Sequence, residues 1–233
     1  SPCVTLTRFG ARRRPGAVGL PIPGTAVRIA ADGEILVKGP NVMLGYFKDP
    51  VRTARVLSRD GWLRTGDYGE LRRHGLVLKC RLDGMFKLTN GEMVLSQAVE
   101  NALAASPLVQ YVVAVGAGRD FVGALVFPNA AAVAEAARRR GLCADPVSMW
   151  KDDAVRGLVK EELVQASLAI AEKYARPKAV VLVGPEPALA NGQLTPTLKL
   201  VRSKIVADYA REVEAMFGPP GNGHAAAGTV MRL

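Results

Sequence analysis

Three charged groups in this sequence stand where their chemistry could be used. Asp67 ends the run Trp62-Leu63-Arg64-Thr65-Gly66-Asp67. An ionised carboxylate only accepts hydrogen bonds and has two oxygens, which suits the two hydroxyl donors of a ribose. The Thr-Gly turn before it aims the side chain outwards; the plainer alternative is an Asp that bonds its own turn. Arg81 carries a planar, fixed-charge fork that can bond ribose oxygens or phosphate, or pair with a surface carboxylate. Lys199 closes Leu194-Thr195-Pro196-Thr197-Leu198-Lys199. A compact ammonium on a long stem can bridge two anions, and Pro196 stiffens the loop that carries it. Spacing alone leaves Lys199 one exposed lysine among many on a basic chain. Asp83-Gly84 pairs two residues that tolerate unusual backbone angles. Gly91, in Thr89-Asn90-Gly91-Glu92, marks a tight turn.

The elements that must hold these groups fall into two kinds. Residues 16–79 predict short strands and turns. Val27–Ala30 and Glu34–Val37 flank Asp32-Gly33, a strong hairpin signal. A short helix is expected over Val51–Leu57, and a second hairpin from Gly69–Leu71 and Leu76–Lys79 around His74-Gly75. Beyond residue 82 strands and helices mix. Met85–Leu88 and Glu92–Leu95 predict a hairpin, and Ser96 is placed as the cap of a helix running to Ser106. Strands follow at Val109–Val115, Phe121–Phe127 and Lys178–Val183, with helices over Ala130–Arg140, Asp152–Tyr174 and Leu200–Phe217. The Gly- and Ala-rich tail from Gly218 is expected to be mobile. The fold class is therefore α/β in the mixed, α+β sense. A β-rich, barrel-like subdomain over 1–82 precedes a domain over 83–217 with a small central sheet flanked by helices, and a flexible tail over 218–233.

Composition narrows the function classes. A chain of 233 residues holds one or two domains, and 49% hydrophobic with 22% charged residues is enough to build a core. No apolar run approaches the roughly 18 residues of a membrane span. Cys3, Cys80 and Cys143 are far apart, form no C-x-x-C pair and fit a reduced, cytoplasmic setting. With cysteines so scattered, His74 and His224 build no zinc site. The start has no apolar stretch of the signal-peptide kind. Net charge is 31 − 21 = +10, which allows contact with anionic surfaces, including peripheral contact with a membrane. The clusters Arg12-Arg13-Arg14 and Arg138-Arg139-Arg140 read as solvated loop and helix ends. No aromatic residues interleave with them, so nucleic acid is not an expected partner. The chain opens on Ser and reads as mid-protein, so a piece of something longer is expected.

Four segments, in order, carry a family resemblance. They are Gly33-Glu34-Ile35 with Gly39, Gly45-Tyr46 and Pro50; Trp62 to Asp67; Arg81-Leu82-Asp83-Gly84 with Lys87-Leu88-Thr89-Asn90-Gly91-Glu92; and Leu194 to Lys199. Together, from about Gly16 to Phe217, they resemble the C-terminal part of the adenylate-forming (AMP-binding) acyl-CoA synthetases. The forms of the last two are most like the long-chain fatty acid–CoA ligases. The resemblance implies two steps. A carboxylate attacks the α-phosphate of ATP to give acyl-adenylate and pyrophosphate, and CoA thiolate then displaces AMP. It also implies a small C-terminal domain that is mobile and rotates between them. It assigns Asp67 and Arg81 to the nucleotide, with Asp67 on the ribose. It makes Asp83 the hinge and lets the pantetheine arm of CoA pass close to Gly91. Lys199 becomes the catalytic group, bridging acyl carboxylate and α-phosphate. Cys80 stands where the family has Gly, and Ser96 where it often has Pro.

The same resemblance implies ATP, magnesium and CoA as cofactors and co-substrates, and a fatty acid as substrate. The phosphate-binding loop, the segment that contacts adenine and magnesium, and the acid tunnel would lie in an upstream N-terminal part of the same enzyme. No metal ligand is therefore assigned here, and this chain alone is expected to be inactive. Rival readings keep adenylation but change the acid to an aromatic one, or the acceptor to a carrier-protein thiol. Others make the chain a non-catalytic partner-binding module or a basic nucleic-acid-binding domain.

Overall fold

The computed structural model describes residues 3–233 except 13, 15, 143, 146, 147, 219–223, 226 and 227; Arg13 and Cys143 thus lie outside the described residues. The chain divides into two compact units, Ser1–Met85 and Phe86–Leu233. It is a mixed α/β fold, with a curled sheet in the first unit and a small sheet flanked by helices in the second.

The first unit is built from β1 (Thr5–Leu6), β2 (Ala17–Pro21), β3 (Ala26–Ile29), β4 (Glu34–Lys38), the short helix α1 (Pro50–Val56), β5 (Leu63–Arg72) and β6 (Gly75–Arg81). The six strands form an antiparallel sheet in the order β1-β2-β6-β5-β4-β3. Asp32-Gly33 turns the chain between β3 and β4, with Gly33 at φ +83°, and Arg73-His74 closes the β5–β6 hairpin, where Arg72 pairs with Gly75. Pro50 opens α1, where its missing N–H costs nothing, and the side chain of Asp49 caps it by accepting from Arg52 N–H. The core gathers Ile35, Val37 and Leu76 with Val27 and Ile29. It is small, because β4 alone among these strands is buried on both faces.

The hairpin of β7 (Met85–Lys87), which starts at the last residue of the first unit, and β8 (Met93–Leu95) leads into the second unit and is followed by α2 (Ser96–Ala104). Then come β9 (Val109–Val115), β10 (Gly123–Pro128), α3 (Ala130–Arg139), α4 (Asp153–Ser167), β11 (Ala179–Leu182), α5 (Arg202–Asp208), α6 (Ala210–Phe217), β12 (His224–Ala225) and β13 (Gly228–Arg232). Its sheet runs β12-β13-β11-β10-β9, with β10 and β11 parallel. Side chains alternate across a strand, so β10 sends Ala124 and Val126 into the cluster with α2, α3 and α4. It sends Leu125 and Phe127 into the cluster with Ile205 and Met216 of α5 and α6. Burial on both faces is why these strands read as continuous apolar runs.

Four expectations change. Ser96 is the first helical residue and is buried, with Leu95 at the cap position. The helix expected over Asp152–Tyr174 stops at Ser167, although Asp152 does cap it. There the Ser167 hydroxyl donates back to the carbonyl of Val164, and Arg176 takes the carbonyls of Leu168 and Ile170. The helix expected over Leu200–Phe217 breaks at Tyr209 into α5 and α6. Tyr209 is buried edge-on against Phe127, and its hydroxyl donates to the carbonyl of Pro185. The tail expected to be mobile instead contributes β13, paired with β11. Arg232 donates to the carbonyls of Met216 and Gly218. Among the described residues no helix is long and apolar enough to cross a membrane.

Candidate active site

The expected site residues fall on both units, and each group is built locally. On the first unit Asp67 and Arg81 are direct partners across β5 and β6. Arg81 donates from Nη1 to Asp67 Oδ1 at 2.9 Å and to the carbonyl of Thr65 at 3.1 Å. The backbone beneath them is held by polar clips. Thr65 Oγ1 accepts from Asp67 N–H at 3.1 Å while donating to the carbonyl of Ile35 at 2.7 Å. Gly66 has φ +72°, and a Cβ there would stand 3.1 Å from Arg81 Nη2. The turn therefore needs glycine for its backbone angle and leaves room for the guanidinium.

Glu34 organises this turn, a role the sequence reading did not give it. It opens β4 and is 2% exposed. Its Oε1 accepts from Gly66 N–H at 2.8 Å. Oε2 lies 2.5 Å from Arg64 Nη2, an ion pair rather than an aligned hydrogen bond. Glu34 raises the Arg64 guanidinium above its ordinary value, and Arg64 also reaches Asp32. The available signal was a carboxylate opening the apolar run Ile35–Val37.

On the second unit Lys199 is exposed on a closed loop. Thr195 N–H donates to the carbonyl of Lys199 at 2.8 Å, and Lys199 N–H donates to Thr195 Oγ1 at 3.0 Å. Leu194 and Leu200 bridge at the neck, and Val201 N–H reaches the carbonyl of Gln193 at 2.8 Å. Leu198, at φ +59°, takes the left-handed conformation that lets the chain turn just before Lys199. Gln193 is buried and donates from Nε2 to Asp208 Oδ2 at 2.7 Å. Arg202, opening α5, donates from Nη1 to the carbonyl of Ala114 at 2.6 Å and from Nη2 to Glu100 Oε1. That same oxygen of Glu100 accepts from Ala114 N–H at 2.9 Å. Burial pushes the Glu100 carboxyl up, against the opposing pull of Arg202. Gln193 and Arg202 were also missed by the sequence reading. Their partners stand far off in the chain, and no local pattern announces them.

Gly91, at φ +92°, is at the tip of the β7–β8 hairpin. Its N–H donates to the carbonyl of Leu88, and Thr89 ties the hairpin to Asp120 and to the carbonyl of Arg119. Asp83 lies in a single 3₁₀ turn, Leu82–Gly84; its side chain is outside the described set. Among the described residues no group of three or more His, Cys, Asp or Glu could hold a metal ion, and magnesium is assigned no ligand here. The arrangement thus offers a carboxylate–guanidinium pair on one unit and a presented ammonium on the other.

Comparison with known proteins gives one family and several relatives. The family profile described as "AMP-binding enzyme C-terminal domain" matches residues 83–219. A protein of Mycobacterium tuberculosis named as a fatty-acid–CoA ligase, fadD11, is 34% identical over 219 residues, covering 92% of this chain and 38% of its own. The long-chain fatty-acid–CoA ligase 1 of Cavia porcellus is 31% identical over 216 residues, covering 87% of this chain and 31% of its own. The chain therefore spans well under half the length of the curated relatives it matches. Among solved structures, the adenylation domain of a carboxylate reductase from Mycobacterium chelonae superposes with a TM-score of 0.70 at 25% identity. It covers 87% of this chain and 32% of its own.

Proposed function

The chain belongs to the AMP-binding, adenylate-forming enzymes, whose C-terminal domain family it matches, and from that premise we propose that it supplies the last β-rich portion and the C-terminal domain of an ATP-dependent acid–CoA ligase. A long-chain fatty acid is the substrate we favour, because the named relatives above are fatty-acid–CoA ligases. The setting we favour is cytoplasmic.

The observation that carries the reading is how Lys199 is presented. Its backbone is fastened on both sides by Thr195, while its side chain stands in solvent on a loop with a buried polar base. A surface lysine of no consequence needs no such frame. In this reading its ammonium lies between the acyl carboxylate and the α-phosphate, offsets their repulsion and stabilises charge as the new bond forms. Arg81 holds one oxygen of Asp67, and the other is left to accept from the ribose. CoA then approaches past Gly91, after the second unit swings about the turn at 82–84. Gly84 supports that swing: it has neither a positive φ nor a crowded Cβ position here, so this conformation does not itself require glycine.

The test is a split between half-reactions in the enzyme that includes the upstream part. Lys199→Ala should slow ATP–pyrophosphate exchange by roughly 10²–10³, the scale for losing one preorganised charge donor. Thioester formation from supplied acyl-adenylate should change far less. Equal rates of exchange in variant and parent would refute the role of Lys199. A solved A-PCP didomain of a carboxylic acid reductase from Segniliparus rugosus, which matches at a TM-score of 0.68 and 25% identity, supports a second reading, in which the acceptor thiol belongs to a carrier. Release of AMP from a preformed adenylate by CoA, but not by a carrier thiol, separates the two.

A further inference from the structure

The loop that carries Lys199 is rigid within itself, but its internal bonds do not say where on the domain it stands. Two contacts do. Ile205 of α5 is fully buried and anchors the helix through apolar packing. Arg202 provides the polar contact, three residues beyond Lys199. β9 is an edge strand, and at Ala114 both its N–H and its carbonyl face outward, away from β10. Glu100 of α2 takes that N–H and Arg202 takes that carbonyl, while the two side chains bond each other. Held at both Nη atoms, the guanidinium can neither rotate nor slide, because its planar fork has one orientation that meets both acceptors. Between Arg202 and Lys199 lie only Leu200, bridged to Leu194, and Val201, bonded to Gln193. No slack remains in that interval.

We infer that Arg202 is the positioning residue for Lys199: locked to Glu100 and the edge of β9, it fixes the loop so that the ammonium stands where adenylation needs it. The inference rests on the reading of Lys199 given above. It assigns Arg202 no contact with substrate.

The experiment is a double-mutant cycle in the enzyme with its upstream part, read by ATP–pyrophosphate exchange. Arg202→Ala should lower kcat by about 10–10², the range that a misplacement of about 1 Å produces, with KM for ATP moving by less than about twofold. Arg202→Lys keeps a charge for Glu100 but cannot span both acceptors along fixed directions, and should recover part of the loss. In the Lys199→Ala background, Arg202→Ala should have no further effect, since a residue acting through another is silent once that other is gone. Additive losses would overturn the inference, as would an Arg202→Ala enzyme with unchanged kcat. If Arg202→Ala does not fold, the same cycle with Arg202→Lys decides by the same rule. If Lys199→Ala alone leaves exchange intact, it is the reading of Lys199 that fails. The clamp is then judged by amide exchange on the 233-residue chain. There Arg202→Lys should speed exchange at Lys199 and Val201 while β10 and β11 stay protected; unchanged exchange at both overturns it.

Discussion

At the scale of single residues, Glu34 is the first to test, because its carboxylate joins the Gly66 N–H and the Arg64 guanidinium while almost wholly out of water. Glu34→Ala leaves Gly66 N–H without its acceptor and Arg64 with only Asp32. We expect a loss of about 1–3 kcal/mol in urea unfolding, the cost of stranding a buried donor. Glu34→Gln keeps that acceptor and should cost less. A loss under about 0.5 kcal/mol, typical of an indifferent surface site, would show that the turn before Asp67 does not depend on it. Asp67, Arg81 and Lys199 stand in short motifs, so the sequence offers them as candidates. It does not offer Glu34, Gln193 and Arg202, since what makes them matter is a partner brought near by folding. Arg202 finds Ala114 and Glu100 across 88 and 102 residues of chain.

At the scale of elements, hairpins were read well and helix ends poorly. Asp-Gly and Asn-Gly act through backbone angles that only a few residues adopt, so the turn is written locally. The end of α4 and the break at Tyr209 come from tertiary contacts, the carbonyls captured by Arg176 and the packing of Tyr209 on Phe127. The same kind of contact between α2 and α5 has a pH signature. Burial raises the Glu100 carboxyl in the folded protein, so the native state holds its proton more tightly than the unfolded chain does. Its contribution to stability is full below the ordinary glutamate range and is lost as pH rises through the raised value. Glu100→Gln should therefore gain on the parent as pH climbs through that window. Melting temperatures of both proteins measured across it would read the change, and a difference that stays constant with pH would exclude this origin.

At the scale of the molecule, two units joined through one 3₁₀ turn lead to two expectations. Asp83 is the second residue of that turn, and the bond that closes it runs from Met85 N–H to the carbonyl of Leu82. Proline at 83 thus removes no donor from the turn while fixing φ. Asp83→Pro should leave adenylation nearly intact and impair thioester formation, because in the proposed reading only the second step needs the swing. Equal slowing of both steps would mean the junction is not a hinge. The chain by itself should show no ATP–pyrophosphate exchange with any fatty acid, and measurable exchange would remove the need for an upstream part. The hydrophobic pattern changes near residue 82 from strands alone to strands with helices, while the chain divides after Met85. The last strand was not legible, because a tail rich in Gly and Ala carries little pattern of its own.

The parallel pairing of β10 with β11 has a consequence for how the chain assembles. In the first unit β3 to β6 pair with successive neighbours, and β9 and β10 form a local hairpin. β11 reaches β10 only after the crossover through α3 and α4 is in place, and such non-local pairing is slow. Until then one edge of Gly-Ala-Leu-Val-Phe-Pro, apolar and without charge, is open to any other strand. The aggregation hazard of a refolding chain is therefore at Gly123–Pro128, a strand that ends between β9 and β11 in the finished sheet. Slow dilution from denaturant should favour recovery over rapid concentration.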